Sequence, residues 1–287
     1  MTAIPGKIVA SKIRISRVLE KFRVRGKTRA ARIHRKLGIP EAPGAVLWEG
    51  PSLIDGAPIA VIMTYGSSND KTGDIHQTWI LRTDIDPVEG VREGTDESIC
   101  GDCPHRPYLI REVKAAGLEP EATCYVNVGQ APLGIWKAYK RGRYPLIGLA
   151  DAASVVAGDV VRFGAYGDPG AAPRHVWSAL ADAASEWTGY THRWADTGAD
   201  LTGLCMASVD NLSEKHEADA AGFATFRVVR SSDELGERER GEAICPASPT
   251  LTCLTCPIKC NGEVGKITGR VILDHGPGGE GRKKKAA

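Results

Sequence analysis

Eight cysteines are the residues in this 287-residue chain best suited to chemistry, and seven of them fall into two groups. Ile244–Asn261 reads ICPASPTLTCLTCPIKCN and places Cys245, Cys253, Cys256 and Cys260 within sixteen residues. Cys100 and Cys103 form a C-x2-C pair in ICGDCPHRP, and Cys124 follows in TCYVNVGQ. Cys205 stands apart. Thiolates gathered at such spacings are ligands for soft metals. A [4Fe–4S] cluster takes four of them, often three close together and one remote. Cys253-x2-Cys256-x3-Cys260 supplies three from one loop, and Cys245 a fourth. Proline follows Cys103, Cys245 and Cys256, removing an N–H and stiffening each loop. The other group has Cys100, Cys103 and Cys124, with Cys205 the one cysteine left to complete it. Without Cys205 it keeps three thiolates and an open position, where an iron would bind substrate or cofactor.

Zinc is the structural alternative. Four cysteines make a closed tetrahedral site, and His105 or His275 can replace one of them. Spacing alone favours iron–sulfur, although C-x2-C pairs serve both. A disulfide framework is disfavoured. The start, MTAIPGKIVASK, lacks the apolar run and cleavage site of a secretory signal, and no apolar stretch reaches the ~18 residues of a membrane span. The expected compartment is a reducing cytoplasm, where C-x2-C pairs bind metal or do redox work.

Other catalytic templates are missing. H-E-x-x-H, G-x-S-x-G and G-x-G-x-x-G do not occur in a fitting context, and Ser67–Gly73 is not a phosphate cradle. The C-x3-C-x2-C loop of radical S-adenosylmethionine enzymes is absent; the C-terminal trio has those spacings reversed. Asp168, His192 and Asp210 are the candidate catalytic groups, because they follow expected strands, where parallel α/β folds bind ligands.

Those strands set the architecture. Composition is that of a globular protein, 42% hydrophobic and 25% charged, with a net charge of +2. AVLWEG, PIAVIMTYG and HQTWILRTDI read as strands separated by turn-formers. From residue 159 onward a βα rhythm appears: DVVRFGAYGDPG, YTHRW, CMASVDN and ATFRVVR as strands, HVWSALADAASEW and SEKHEADAAG as helices. The expected fold is α/β, a βα-repeat parallel sheet or partial TIM-like barrel with cysteine-rich metal-binding segments closing one end. Residues 45–275 form this core, between a basic arm at 1–44 and a basic Gly-rich tail at 276–287.

In the arm, twelve Lys and Arg residues over positions 7–38 face a single acid, Glu20. Arg23, Arg25, Lys27, Arg29, Arg32, Arg35 and Lys36 are its candidate nucleic-acid contacts, since clustered cations neutralise phosphates and release counterions. Thr28–Leu37 reads as a short helix closed by Gly38 and Pro40. In PLGIWKAYKRGR, Trp136 and Tyr139 among basic residues suit base stacking; a core-facing helix with both rings buried is the favoured reading.

Taken together, WEGPSLIDGAPI, TGDIHQTWILR, ICGDCPHR, CYVNVGQAP-x4-KAYKRGRY, VRFGAYGDP, CMASVD and ICPAS resemble a family of uncharacterised, cysteine-rich bacteriophage and prophage proteins over roughly residues 45–275. The resemblance implies a phage origin, action in the cytoplasm of the bacterial host, and all eight cysteines as ligands. The expected function is that of a phage iron–sulfur protein acting on nucleic acid or nucleotides by redox or radical chemistry. Its alternatives are a zinc-stabilised nucleic-acid-binding protein without catalysis and a host-takeover protein that binds a bacterial partner.

Overall fold

The structure is a computed structural model that describes residues 29–118, 124–196, 200–247, 251–264 and 268–274. It is a mixed α/β fold built on two five-stranded sheets. The first has the order β1 (Gly44–Pro51), β2 (Pro58–Thr64), β3 (His76–Arg82), β4 (Val160–Tyr166), β5 (Glu186–Thr188). Its first three strands are antiparallel, joined by the short turns expected from their Gly- and Pro-rich borders; β3, β4 and β5 are parallel. The second sheet is parallel throughout, in the order β6 (Tyr190–Thr191), β7 (Met206–Val209), β8 (Thr225–Val229), β10 (Gly269–Leu273), β9 (Glu242–Ile244). The all-parallel expectation therefore holds for one sheet and for half of the other.

One residue, Gly189, separates β5 from β6, so the two sheets succeed one another along the same stretch of chain. Its N–H donates to the Cys260 carbonyl at 3.0 Å, and its own carbonyl accepts from Met206 N–H at 2.9 Å. A Cβ here would meet Cys205 Sγ at 2.8 Å, so the close approach requires glycine. β5 itself lies inside the stretch 175–187 expected to be helical. The helix ends early, at Ala181, and Glu186–Thr188 pairs with β4. Trp187 Nε1–H then reaches the carbonyls of Leu204 and Asn261, both at 2.9 Å, an anchorage outside the helix.

Alternation along β4 separates two environments. Val161 and Phe163 are fully buried, and Phe163 packs its ring 5.4 Å from Trp177 of α7 (Arg174–Ala181). α6 (Leu149–Val156) adds Val155 and Val156 to the same core. Arg162, between those two residues, reaches to the opposite face, where Tyr125 Oη accepts its hydrogen bond. That second face is polar and carries the cysteines.

The helix expected at Thr28–Leu37 is present over 29–36 (α1), and Gly38 follows with φ of 67°. It belongs to the core: Ala30 and Ile33 are buried, and His34 Nε2 lies 3.0 Å from Tyr65 Oη. The boundary of the arm thus moves from 44 to at most 28. Four further helices cover the segment between β3 and α6: α2 (Pro87–Glu93), α3 (Glu97–Cys100), α4 (Pro107–Ala115) and α5 (Ala131–Lys140). On α5, Trp136 Nε1–H donates to the Arg82 carbonyl and Tyr139 Oη to Glu49 Oε1, so both rings pack on the sheet, in line with the favoured reading. α8 (Leu212–Ala220) and α9 (Ser232–Gly236) complete the order. Among the described residues, no helix is long and apolar enough to cross a membrane.

Candidate metal centre

The C-terminal cysteines sit on a loop held at three places. Cys245 extends β9, its N–H donating to the Val271 carbonyl at 2.8 Å. Cys253 and Leu254 N–H donate to the carbonyls of Lys71 and Thr72, at 3.1 and 2.9 Å. The Ser67–Gly73 loop, legible only as a hairpin-like connection, is therefore a seat for the distant cysteine loop. Cys260 fills the break at Gly189, and Gly262, with φ of 82°, lies against the backbone of Cys205.

So fixed, Cys245, Cys253, Cys256 and Cys260 line one cavity of about 30 Å³, with Thr188, Tyr190 and Arg270 in its wall. That is roughly twice what a single water molecule needs. Tyr190 stands beside Cys260, and the two groups shift one another's ionisation, the hydroxyl favouring the Cys260 thiolate. Burial pushes the Cys245, Cys253 and Cys260 thiols up, Cys260 to about 11, and each feels the charge of its neighbours in the group. Arg270 works in the other direction on Cys245 and Cys260, and Arg162 on Cys253.

These two arginines are not among the residues that spacing and motif single out. Both are buried, at 9% and 5% exposure, and both leave Nε without a partner. Arg162 donates to Tyr125 Oη at 2.6 Å; Arg270 donates to the carbonyls of Gly269 and Lys259. Neither forms an ion pair with a carboxylate among the described residues. A guanidinium taken out of water without an anion is costly. The ionisable groups that face them are Cys253, Tyr125 and Tyr190 for Arg162, and Cys245 and Cys260 for Arg270. The signal in the sequence is a cation inside an apolar strand, as in VVRFGAY and GRVIL.

Cys100, Cys103 and Cys124 form the other group. Cys100 ends α3, Gly101 turns the chain at φ of 62°, and Cys124 N–H donates to the His105 carbonyl at 3.0 Å. Burial raises all three thiols, and each of the first two feels Cys124. Val126 N–H, two residues ahead, donates to Cys124 Sγ at 3.5 Å, and the backbone at His105 and Ala247 favours the ionised thiols of Cys103 and Cys245 in the same way. The prolines at 104 and 246 lack the nearer N–H, which leaves the second one to serve the sulfur.

Cys205 joins neither group. It is wholly buried in the hydrophobic core against Gly189. It precedes β7 by one residue and points into the core, where its sulfur sits against Gly189. Among the described residues, no three His, Cys, Asp or Glu side chains converge as the ligands of a single ion do.

The candidate catalytic residues gather at the C-terminal ends of the parallel strands, as expected, with the three-cysteine group beside them. Their roles differ. Asp168 accepts from Gly170 N–H (2.8 Å), Thr191 Oγ1–H (2.8 Å) and His192 N–H (2.7 Å). Both its oxygens are used to brace the turns after β4 and β6, so it is a strut and not an acid or base facing solvent. Burial nonetheless holds its carboxyl above the usual range. His192 is driven down to about 4, first by burial and then by His105, whose ring lies 5.1 Å away. Asp210 is paired with His105, Nε2 to Oδ2 at 2.9 Å; burial is the largest single influence and raises its pKa, but this bond together with the charges of His105, His192 and Arg230 lowers it on balance.

Of the basic arm, Arg23, Arg25 and Lys27 lie outside the described residues, as does the tail. Arg29 is consumed within the fold, bonded to Asp159 and to the Ala157 carbonyl, with His76 Nε2 on the same carboxylate at 3.2 Å. Arg32, Arg35 and Lys36 remain exposed on α1; Lys36 approaches Asp151 at 3.9 Å, a loose surface pair.

No family model, curated protein or solved structure matches this chain.

Proposed function

We propose that this chain is an iron–sulfur protein in which Cys245, Cys253, Cys256 and Cys260 hold a [4Fe–4S] cluster. The observation that carries the reading is a pair of buried arginines with no carboxylate partner among the described residues: Arg270 lines the cavity of the four thiols and acts on Cys245 and Cys260, and Arg162 acts on Cys253. Zinc needs its sulfurs drawn to ~2.3 Å from one point. A [4Fe–4S] core takes four thiolates spread more widely, and all four C-terminal cysteines line the one cavity.

Such a cluster supplies one-electron transfer when bound. The chain's own residues would do the rest. Arg162 and Arg270 would offset the thiolate charge, the Tyr190 hydroxyl would favour the Cys260 thiolate, and the Ser67–Gly73 loop would hold the backbone of Cys253 and Leu254 in place. Hydrogen bonds to sulfur and low exposure are both levers on reduction potential. A substrate bearing phosphates, nucleic acid or a nucleotide, is the partner that the exposed Arg32, Arg35 and Lys36 favour.

Anaerobic purification tests the centre. A brown protein containing iron and acid-labile sulfide, both lost in Cys253→Ser, is the expected result. A colourless protein with zinc bound by these four cysteines would replace this reading with the zinc-stabilised, non-catalytic one.

A further inference from the structure

We propose that Cys100, Cys103, Cys124 and His105 form a second metal site, separate from the first and of a different kind: a closed three-cysteine, one-histidine site for zinc. Cys205, the fourth ligand expected from the sequence, is buried in the core and leaves the group one short. His105 supplies the missing donor. Its Nε2 meets the Asp210 carboxylate at 2.9 Å, while its Nδ1 is buried with no hydrogen-bond partner. A carboxylate accepts only, so Nε2 carries the proton and Nδ1 keeps its lone pair. Histidines that bind metal through one nitrogen characteristically donate the other N–H to a carboxylate, which fixes tautomer and orientation.

The chain around His105 supports the same assignment. His105 lies two residues from Cys103 in the chain and its carbonyl accepts from Cys124 N–H at 3.0 Å, so one residue joins two of the three cysteines. Val126 N–H donates to Cys124 Sγ at 3.5 Å. The charge balance also separates this site from the other. The neighbouring buried guanidinium, Arg106, is matched by Asp96 at 2.9 Å, so no unpaired cation demands a more anionic core. Three thiolates and an imidazole complete a tetrahedral zinc ion with no open position. Since the side chains do not yet converge, loading draws the thiols inward and fixes the Cys124–Tyr125 segment against the strand ends.

The test uses the full chain and zinc itself. Zinc, iron and sulfide are counted in the holoprotein, and zinc affinity is measured by competition with a chromophoric chelator in the wild type, His105→Gln and Asp210→Asn. One zinc per chain is expected in addition to the iron. Asp210→Asn, which keeps the shape of the side chain, should weaken zinc by roughly 10–100-fold, and His105→Gln by more. Cobalt in place of zinc should show sulfur-to-cobalt charge transfer that changes in His105→Gln. Absence of zinc from the holoprotein, identical affinities in all three proteins, or iron beyond what one cluster accounts for would each overturn the proposal. The iron–sulfur reading, on which this second site does not depend, fails separately: zinc that responds to His105→Gln in a protein without sulfide sinks that reading and leaves this site standing.

Discussion

Arg162 Nη2 donates to Tyr125 Oη at 2.6 Å, and through this bond the segment carrying Cys124 is fastened to the arginine that faces Cys253. The arginine stands between the two cysteine groups and has no carboxylate of its own. Its effect on stability should therefore change sign with the state of the centre. In the metal-free protein, Arg162→Met replaces an unbalanced buried cation with an apolar side chain, which should be neutral or stabilising by up to ~4 kcal/mol. In the loaded protein the same change removes the counter-charge of the thiolates and should destabilise. Urea unfolding with and without the cluster reads both. A loss of equal size in the two states would detach Arg162 from the centre.

Gly262 offers a way to undock the cysteine loop without touching a ligand. Its φ of 82° and the 2.6 Å that a Cβ would leave to the backbone of Cys205 both exclude a side chain. Gly262→Ala should cost ~1–3 kcal/mol and lower iron content, with faster proteolysis confined to 251–264. Cys205→Ala, by contrast, should leave the metal content as it was. Iron lost from Cys205→Ala as fully as from Cys253→Ser would return Cys205 to the ligands.

Acid should release the same loop from its other end. Glu242 of β9 is fully buried and bonded to Arg227 at 2.7 and 2.9 Å; burial opposes its ionisation, but the guanidinium wins and its pKa is lowered. The unfolded chain, with a carboxylate near 4.3, takes up that proton first as the pH falls. The pair's contribution is thus complete above about pH 4.3 and is lost as pH drops through the lower folded value. Glu242→Gln should be destabilised by ~3–5 kcal/mol near neutral pH yet show a flatter acid limb in thermal melts from about pH 5 to 3. An acid limb as steep as that of the wild type would assign the transition to other carboxylates.

For phosphate binding, the informative residues are now fewer. Deleting positions 1–38 would also remove Ala30, Ile33 and His34 from the core, so weaker binding after that truncation would say little. Arg32→Glu with Arg35→Glu leaves α1 packed. If these side chains meet DNA phosphates, the slope of log affinity against log salt should shrink by about 0.9 for each phosphate no longer neutralised. Arg29→Ala should lower stability through Asp159 and His76 and leave the slope unchanged. Equal slopes in the wild type and the Arg32/Arg35 variant would remove this face from the binding surface.

Much of this is legible in the chain because it is local. Ligand spacing is written in a few consecutive residues, and the β-branched runs of β1, β2, β3, β4 and β8 announce themselves. What cannot be read depends on contacts between distant segments. Asp168 has the look of a strand-end acid, but its three hydrogen bonds come from the turn after β4 and from the end of β6. Cys205 has the chemistry of a ligand; its burial in the core just before β7 sets it apart from both groups. Arg162 and Arg270 are, on sequence, two more cations in a chain of 37 Lys and Arg residues. His105 reads merely as a substitute for a cysteine, because the carboxylate that orients it lies at position 210. α2 has a signal of its own that goes unread among the strands, since Asp86 before Pro87 is a cap and first-turn pair.

The seat that Lys71 and Thr72 provide for Cys253 and Leu254 has a consequence for biosynthesis. One half of the enclosure emerges from the ribosome early and waits, incomplete, while most of the remaining chain is made. No cofactor can be sealed in until Arg270 has been translated. If the proposed cluster is bound here, its insertion would follow synthesis of nearly the whole polypeptide, and a cell short of iron would accumulate a scaffold already folded around an unfinished wall.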